Sequence, residues 1–549
     1  MGQKKIHPRF SELAEAYRKK ALSRREFLRL SALLGVSASV TASIAGLPLA
    51  KKVWASAPKR GGILRVASQI QKVAHPAQFS WIQPANIFRQ VAEYLTLTGP
   101  DNITRPLLLE GWEASDDLKT WTLTLRKNVE FNNGDMFNAD DVVFTMSQWL
   151  NEDTKSSLYG LIGSYLSANN IEKINDYQVK LHLNKSEIAV PEHLHHFPAL
   201  VLNHRTFEGD FLRNPHGTGP YTLEKYNEGE IAILKARSDY WQKGADGKPL
   251  PYLDGMRFVD LGSDQAPLIA ALKGGEVDLL DTSDNPGPAV MKAVQNDANI
   301  RIMPVSTAQT RVLRMRVDVD PWKDNRVRTA LKLCQNREKI LALAFQGQGV
   351  IGQDVHVHPK HPEYCPIETP KYDPAKSKKL LAEAGYPNGI NIDLSVCSEW
   401  TDVVRYAEVL KEDAREGGFD ISIKPMPASQ YWEKWTEVAL GITPWTHRPL
   451  GTMVLNLAYV AGPDGKPVAW NESRWVDPEF SELLNQANGI LDAKERRNVF
   501  CKLEKIQQER GSICIAYWMN TWLCLNKRVM GVEAHPTLYM QFNNGWLNT

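Results

Sequence analysis

The sequence predicts an α/β chain with mixed sheets, and three observations carry that expectation. Short runs of period-two alternation recur at residues 120–125, 177–183, 230–236 and 255–261. Stretches of helical periodicity, bounded by capping residues and glycine stops, lie between such runs. Residues 390–396, 403–415 and 420–424 read as strand, helix and strand, an order and length that favour a parallel crossover. The chain has 549 residues, 43% hydrophobic and 23% charged, which suits a large folded core and excludes disorder, collagen or a small disulfide-stapled domain.

Taken in order, the first segment is an address. Residues 1–57 hold 11 basic and 3 acidic side chains, leaving 54 basic against 60 acidic, a net charge of −6, for residues 58–549. A body with that balance gives no reason to expect nucleic-acid binding, which needs a basic surface to neutralise phosphates. Ser23-Arg24-Arg25-Glu26-Phe27-Leu28-Arg29 precedes 21 uncharged residues, 30–50, and then Lys51-Lys52 and Ala55-Ser56-Ala57. This is the pattern of a twin-arginine export signal over residues 1–57, cut after Ala57. Serine, threonine, glycine and proline dilute the stretch, which favours a cleaved signal over a permanent anchor. No other segment approaches ~18 uninterrupted apolar residues, so the mature chain is expected to be soluble outside the cytoplasmic membrane. The first of six cysteines is Cys334, so no cysteine stands at the cut to carry a lipid. Without a C-x-x-C pair, a thioredoxin-type site or zinc ribbon is not expected. The compartment permits a disulfide but the pairing stays open, and buried small hydrophobes are the alternative.

In the mature chain, residues 63–67 are β-prone, a loop with Pro76, Phe79 and Trp81 follows, and a helical pattern lies near 86–95. Asn132-Asn133-Gly134-Asp135 reads as a turn, and Asn138 caps a helix running toward Leu150, with Asp140 and Asp141 favoured in its first turn. A strand is expected over 311–319, then a long helix from Asp324 through Ile340 and Phe345. A helix over 375–385 stops at Gly385-Tyr386-Pro387. Residues 477–491 and 493–510 are helical, and 513–518 and 522–525 return to strand. There is no short-period repeat.

A set of ordered motifs runs through this pattern. They include Pro106-Leu107-Leu108-Leu109-Glu110-Gly111-Trp112, Val129-Glu130-Phe131-Asn132-Asn133-Gly134 and Ala139-Asp140-Asp141-Val142-Val143-Phe144. Gly217-Thr218-Gly219-Pro220-Tyr221, Asp239-Tyr240-Trp241, Tyr252-Leu253-Asp254-Gly255 and Ala271–Asp278 follow, and later Asn336-Arg337, Tyr372-Asp373-Pro374 and Ala384-Gly385-Tyr386. In these motifs the chain resembles the family 5 solute-binding proteins, the peptide and nickel class of ABC-transporter periplasmic receptors, over nearly all of residues 59–530. Asn336 stands where that family usually has Asp. The resemblance implies a two-lobed periplasmic binding protein fold (type II, cluster C-like) with mixed sheets, a ligand in an interlobe cleft and hinge closure. On that template lobe I spans 58–310 plus 513–549 and lobe II 311–512. It further implies a monomer, a small-molecule or peptide ligand and an inner-membrane ABC permease as partner, with no catalysis and no cofactor.

Gly347-Gln348-Gly349-Val350-Ile351-Gly352 matches G-x-G-x-x-G, but it follows a helix and leads into no other, so a flexible loop is expected rather than a dinucleotide site. No P-loop, G-x-S-x-G or H-E-x-x-H occurs. The groups His193, His195, His196 and His356, His358, His361 have spacing that zinc or nickel accepts, but solvated or hydrogen-bonded loop histidines are the expectation, and no metal site is assigned.

Sixteen tryptophans exceed what packing requires, and ligand clefts use flat rings for stacking. The segment Trp445-Thr446-His447-Arg448-Pro449 lies where peptide-binding members of the family place contacts, commonly with an aspartate for the peptide's amino group. Here no Asp or Glu occurs between Val438 and Pro463, which weakens a plain peptide assignment. Trp445, His447 and Arg448 supply a ring, a switchable donor and a permanent bidentate donor, which suit a carboxylate, phosphate or polyol. Phe79 and Trp81 are the candidates in the first lobe. The expected cargo is a small polar organic solute: a peptide, an opine-like compound or a sugar acid. A secreted enzyme, or a sensor or chaperone on the same fold, is the alternative.

Overall fold

The computed structural model describes residues 9–20, 22–34, 36, 41, 57–281, 287–462 and 465–548. The arginine pair lies in the helix Arg24–Leu33, which opens on Ser23 with Glu26 completing a capping box. Most of the uncharged stretch, and the expected cleavage pattern through Ser56, lie outside the described residues. Among the described residues no helix is long and apolar enough to cross a membrane.

The chain forms two compact units, Met1–Val305 with Trp522–Thr549, and Ser306–Thr521. It passes between them inside two long strands, Ile300–Met315 and Ile513–Asn526. The divisions expected at 310/311 and 512/513 fall in or beside the same strands.

In the first unit, Ile63–Ala67 pairs in parallel with Gly255–Val259 on one side and Leu279–Leu280 on the other. Ile231–Ala236 and Tyr221–Asn227 continue the sheet antiparallel. Its alternation is legible in burial: Ala232 and Leu234 are enclosed while their neighbours are more open. A second, antiparallel sheet joins Leu109–Ala114, Thr120–Leu125, Gln178–His182 and Ile171–Asn175 in that order. Trp121, Leu123 and Leu125 face its core. The helix Ala139–Leu150 begins as expected: the Asn138 side chain accepts from the Asp140 N–H, and the Asp141 carboxylate accepts from the Asn138 N–H at 2.9 Å. Gly217 is required by close approach, because a Cβ there would sit 2.1 Å from the Val91 carbonyl oxygen.

In the second unit, Ile390–Cys397 and Phe419–Met426 pair in parallel from Ile390 opposite Phe419, joined by the helix Thr401–Glu416. Leu440–Trp445 follows in the sheet and pairs antiparallel with Thr310–Met315. A large core gathers Trp445, Trp475, Phe480, Phe500 and Trp518. Cys365 and Cys501 form a disulfide, and Cys334, Cys397, Cys514 and Cys524 are buried free thiols.

Several expectations are corrected here. The strand expected over 311–319 runs over Ile300–Met315 instead; its first part gave no signal because residues 301–306 are partly buried or, at Pro304, exposed, with no alternation. The long helix expected from Asp324 is two helices, Asn325–Leu333 and Arg337–Ala344; Asn336 interrupts it as a new cap, its side chain accepting from the Lys339 N–H. Residues 513–518 and 522–525 belong to one strand, since the polar Asn520-Thr521 breaks the apolar run without breaking the backbone. The glycine-rich segment is not a flexible loop: Gly349–Ile351 pairs antiparallel with Tyr517–Met519, so closely that a Cβ on Gly349 would meet the Trp518 carbonyl at 2.1 Å.

Candidate solute-binding residues

Trp445 ends the strand Leu440–Trp445, and His447 and Arg448 lie in the turn before the helix Gly451–Ala458. The three stand together in the second unit. Phe79 and Trp81 stand together in the first, flanking the start of the helix Ile82–Phe88.

Their environments differ. Trp445 is 4% exposed, and its indole N–H donates to Glu472 Oε1 at 2.9 Å. Glu472 Oε2 accepts from the Thr443 hydroxyl and from Arg314 Nε at 2.9 Å, and the Arg314 side chain is wholly buried. The carboxylate that meets Trp445 is therefore already neutralised by a guanidinium and offers no charge to an incoming ammonium. Arg448 donates from Nη1 to Thr446 Oγ1 at 2.6 Å and to its neighbour's carbonyl at 3.1 Å, which fixes the planar head. His447 Nδ1 accepts from the Ala308 N–H at 2.9 Å, which places any ring proton on Nε2. Phe79 is buried against Phe88, with ring centroids 5.8 Å apart, whereas Trp81 is 49% exposed.

Five of the six histidines are buried, and His196 is half-buried. His356 Nδ1 pairs with the Tyr459 hydroxyl at 2.7 Å and its ring meets the Trp445 ring edge-on. His358 Nδ1 accepts from the Lys360 N–H, and His361 Nε2 donates to the Arg448 carbonyl at 2.9 Å. Burial pushes His356 well below its ordinary pKa and His358 down to about 2, so both are neutral. His193 pairs with the Tyr165 hydroxyl, and His195 accepts from the Thr98 N–H. Among the described residues no group of three or more His, Cys, Asp or Glu is placed to hold a metal ion.

An indole ladder escaped the sequence reading. Ring centroids step from Trp400 to Trp432 at 5.4 Å, to Trp435 at 5.6 Å, to Trp470 at 6.0 Å and to Trp445 at 5.9 Å. Trp470 is 42% exposed, so the ladder reaches the surface of the second unit one step from the buried Trp445. The i, i+3 spacing of Trp432 and Trp435 was a helical signal. Trp470 lies outside regular structure and gave none.

The family model of the bacterial extracellular solute-binding proteins, family 5 (Middle), matches residues 104–460. A dipeptide-binding protein of Pseudomonas aeruginosa is 26% identical over 468 residues, covering 78% of this chain and 84% of that protein. Among solved structures, the periplasmic binding protein DppA of Helicobacter pylori in complex with the peptide STSA superposes with a TM-score of 0.76 at 21% identity, covering 89% and 99% of the two chains. AgaA of A. tumefacien R10 in complex with agropinic acid gives a TM-score of 0.75 at 20% identity, covering 89% and 99%. These two structures share the fold. With more than half its length matched, the chain belongs to the bacterial extracellular solute-binding proteins, family 5.

Proposed function

We propose that the mature chain is the periplasmic receptor of an ABC importer, which captures a small organic solute, releases it unaltered to a membrane permease, and acts as a monomer. The observation that carries this reading is membership of the family over residues 104–460, with the P. aeruginosa dipeptide-binding protein alongside. Differential affinity of open and closed forms would then drive delivery.

The solute is a carboxylate-bearing compound of the peptide, opine or sugar-acid kind, and not a ligand gripped by its free amine. Residues 439–462 contain no acidic side chain, and Glu472 is held by Arg314. Arg448 and His447 are the polar contacts proposed for the solute in the second unit, with Trp445 and Trp470 as the aromatic wall. Trp81, with Phe79 behind it, is the contact proposed in the first. Residues 1–57 are proposed to be a twin-arginine signal removed after Ala57.

Isothermal titration with dipeptides, their amino-acetylated forms, opines and sugar acids tests the solute class. The expected result is retention of binding when the amine is blocked and loss when the carboxylate is amidated. The opposite pattern overturns the assignment of the solute class.

A further inference from the structure

We propose that His361 is a positioning residue for solute binding: it fixes the peptide link from which the Arg448 side chain springs, on a strap that Cys365–Cys501 fastens to the helix Ala493–Arg510. The inference rests on the reading of Arg448 as a solute contact and names what holds that contact in place. Arg448 precedes Pro449. Proline has no N–H, so the link between the two offers one polar handle, the Arg448 carbonyl. His361 Nε2 donates to that carbonyl at 2.9 Å, and the bond is buried. His361 Nδ1 accepts from the His358 N–H at 3.1 Å, which leaves the ring proton on Nε2.

The turn around Arg448 has no regular structure of its own to hold it. Residues 446–450 lie between the strand Leu440–Trp445 and the helix Gly451–Ala458 and belong to neither. Leu450 stands at the cap position of that helix and its side chain accepts nothing. The Gly451 N–H, one of the donors that a helix start leaves unmet, is answered instead by Glu363 Oε2 at 3.2 Å. Glu363 is wholly buried, and its other oxygen lies 3.4 Å from Arg496 Nε. Two residues of one short segment, His361 and Glu363, thus grip the turn at the Arg448 carbonyl and at the Gly451 N–H.

That segment is fastened in turn. The His356 N–H donates to Gln507 Oε1 at 2.8 Å, Arg497 Nη2 to the Pro362 carbonyl at 3.0 Å, and the Cys365 N–H to Glu504 Oε1 at 2.9 Å. All three partners belong to the helix Ala493–Arg510, and so does Cys501, which closes the disulfide with Cys365. Residues 356–365 therefore form a strap anchored along one helix. A guanidinium on a backbone that is already fixed loses less freedom when it meets a carboxylate, so the strap raises affinity by pre-organisation.

The test pairs calorimetry with hydrogen exchange on the whole protein, with acetylated dialanine, agropinic acid and gluconate as probes. His361→Phe keeps a ring but removes the donor, and it is expected to weaken binding by about fivefold or more, the scale of one buried hydrogen bond. His361→Gln, which restores an N–H donor, is expected to recover most of that affinity. In an Arg448→Ala background His361→Phe is expected to add nothing, because the two residues act as one. In the unliganded protein His361→Phe should speed exchange across residues 447–451 and leave 390–397 unchanged. Cys365→Ser with Cys501→Ser loosens the strap without touching the turn; it should weaken binding in the same Arg448-dependent way, and it decides the matter if His361→Phe does not fold. Unchanged affinity in His361→Phe, no recovery in His361→Gln, or a loss additive with that of Arg448→Ala overturns the proposal. Full affinity in Arg448→Ala alone refutes the solute contact itself, a result distinct from additivity. If the wild type binds no probe, the solute class fails, and unchanged exchange over 447–451 then overturns the positioning role on its own.

Discussion

Replacing Glu472 by alanine tests how the second unit holds Trp445 in place. Glu472 is 4% exposed and answers three donors at once: Arg314 Nε, the Thr443 hydroxyl and the Trp445 indole N–H. Arg314 is wholly enclosed and also donates to the carbonyls of Val438 and Trp435, so it cannot swing to water when its carboxylate is removed. Breaking a buried pair from one side leaves an uncompensated charge, at a cost of about 3–5 kcal/mol. For a unit of this size each kcal/mol moves the melting point by about 2–4 °C, so the loss is about 6–20 °C. Removing both charges, in Glu472→Ala with Arg314→Met, should restore much of that loss, because the desolvation penalty disappears with the pair. Differential scanning calorimetry of the two single variants and the double variant reads the cycle directly. A Glu472→Ala protein that melts with the wild type, or a double variant as unstable as the sum of the singles, would refute this reasoning.

Further predictions concern the solute, the disulfide, pH and export. Arg448→Ala should weaken solute binding by more than about 1.5 kcal/mol if the guanidinium makes a charge-assisted contact, measured by calorimetry; unchanged affinity with a lowered melting point assigns it to structure instead. Cys365→Ser should cost about 2–5 kcal/mol in chemical denaturation, since the bond closes a separation of 136 residues. Burial, with Glu363 nearby, pushes Glu504 up to about 9, so the folded state holds its proton more tightly than the unfolded chain. That contribution is complete below the ordinary carboxyl pKa and is lost as pH rises toward 9. Glu504→Gln should therefore flatten the decline in melting temperature between about pH 4.5 and pH 9, and a slope identical to wild type there would contradict it. Replacing Arg24-Arg25 by two lysines should leave unprocessed precursor in the cytoplasm, read by fractionation and immunoblot.

How much of this was legible in the sequence depended on how local the signal was. The cap at Asn138, the glycine stop at Gly385 and the parallel pair 390–397 with 419–426 are set by neighbours within a turn or a crossover. The extra half of the strand Ile300–Met315 left no alternation, because that stretch is buried on neither face consistently. Trp445 was legible as an aromatic, but not as a member of the Glu472 network, whose other parts come from residues 314 and 443. The histidines were expected in loops, and what buries them is tertiary: Trp518 and Tyr459 reach His356 from more than a hundred positions away.

Native mass spectrometry of the protein purified from the periplasm of its own host tests the central claim most directly. The account predicts one copy of a small carboxylate-bearing solute per chain, released intact on denaturation and identical before and after incubation with the protein. A chemically converted product, or a chain that carries nothing and takes up none of the solute classes offered, would contradict it.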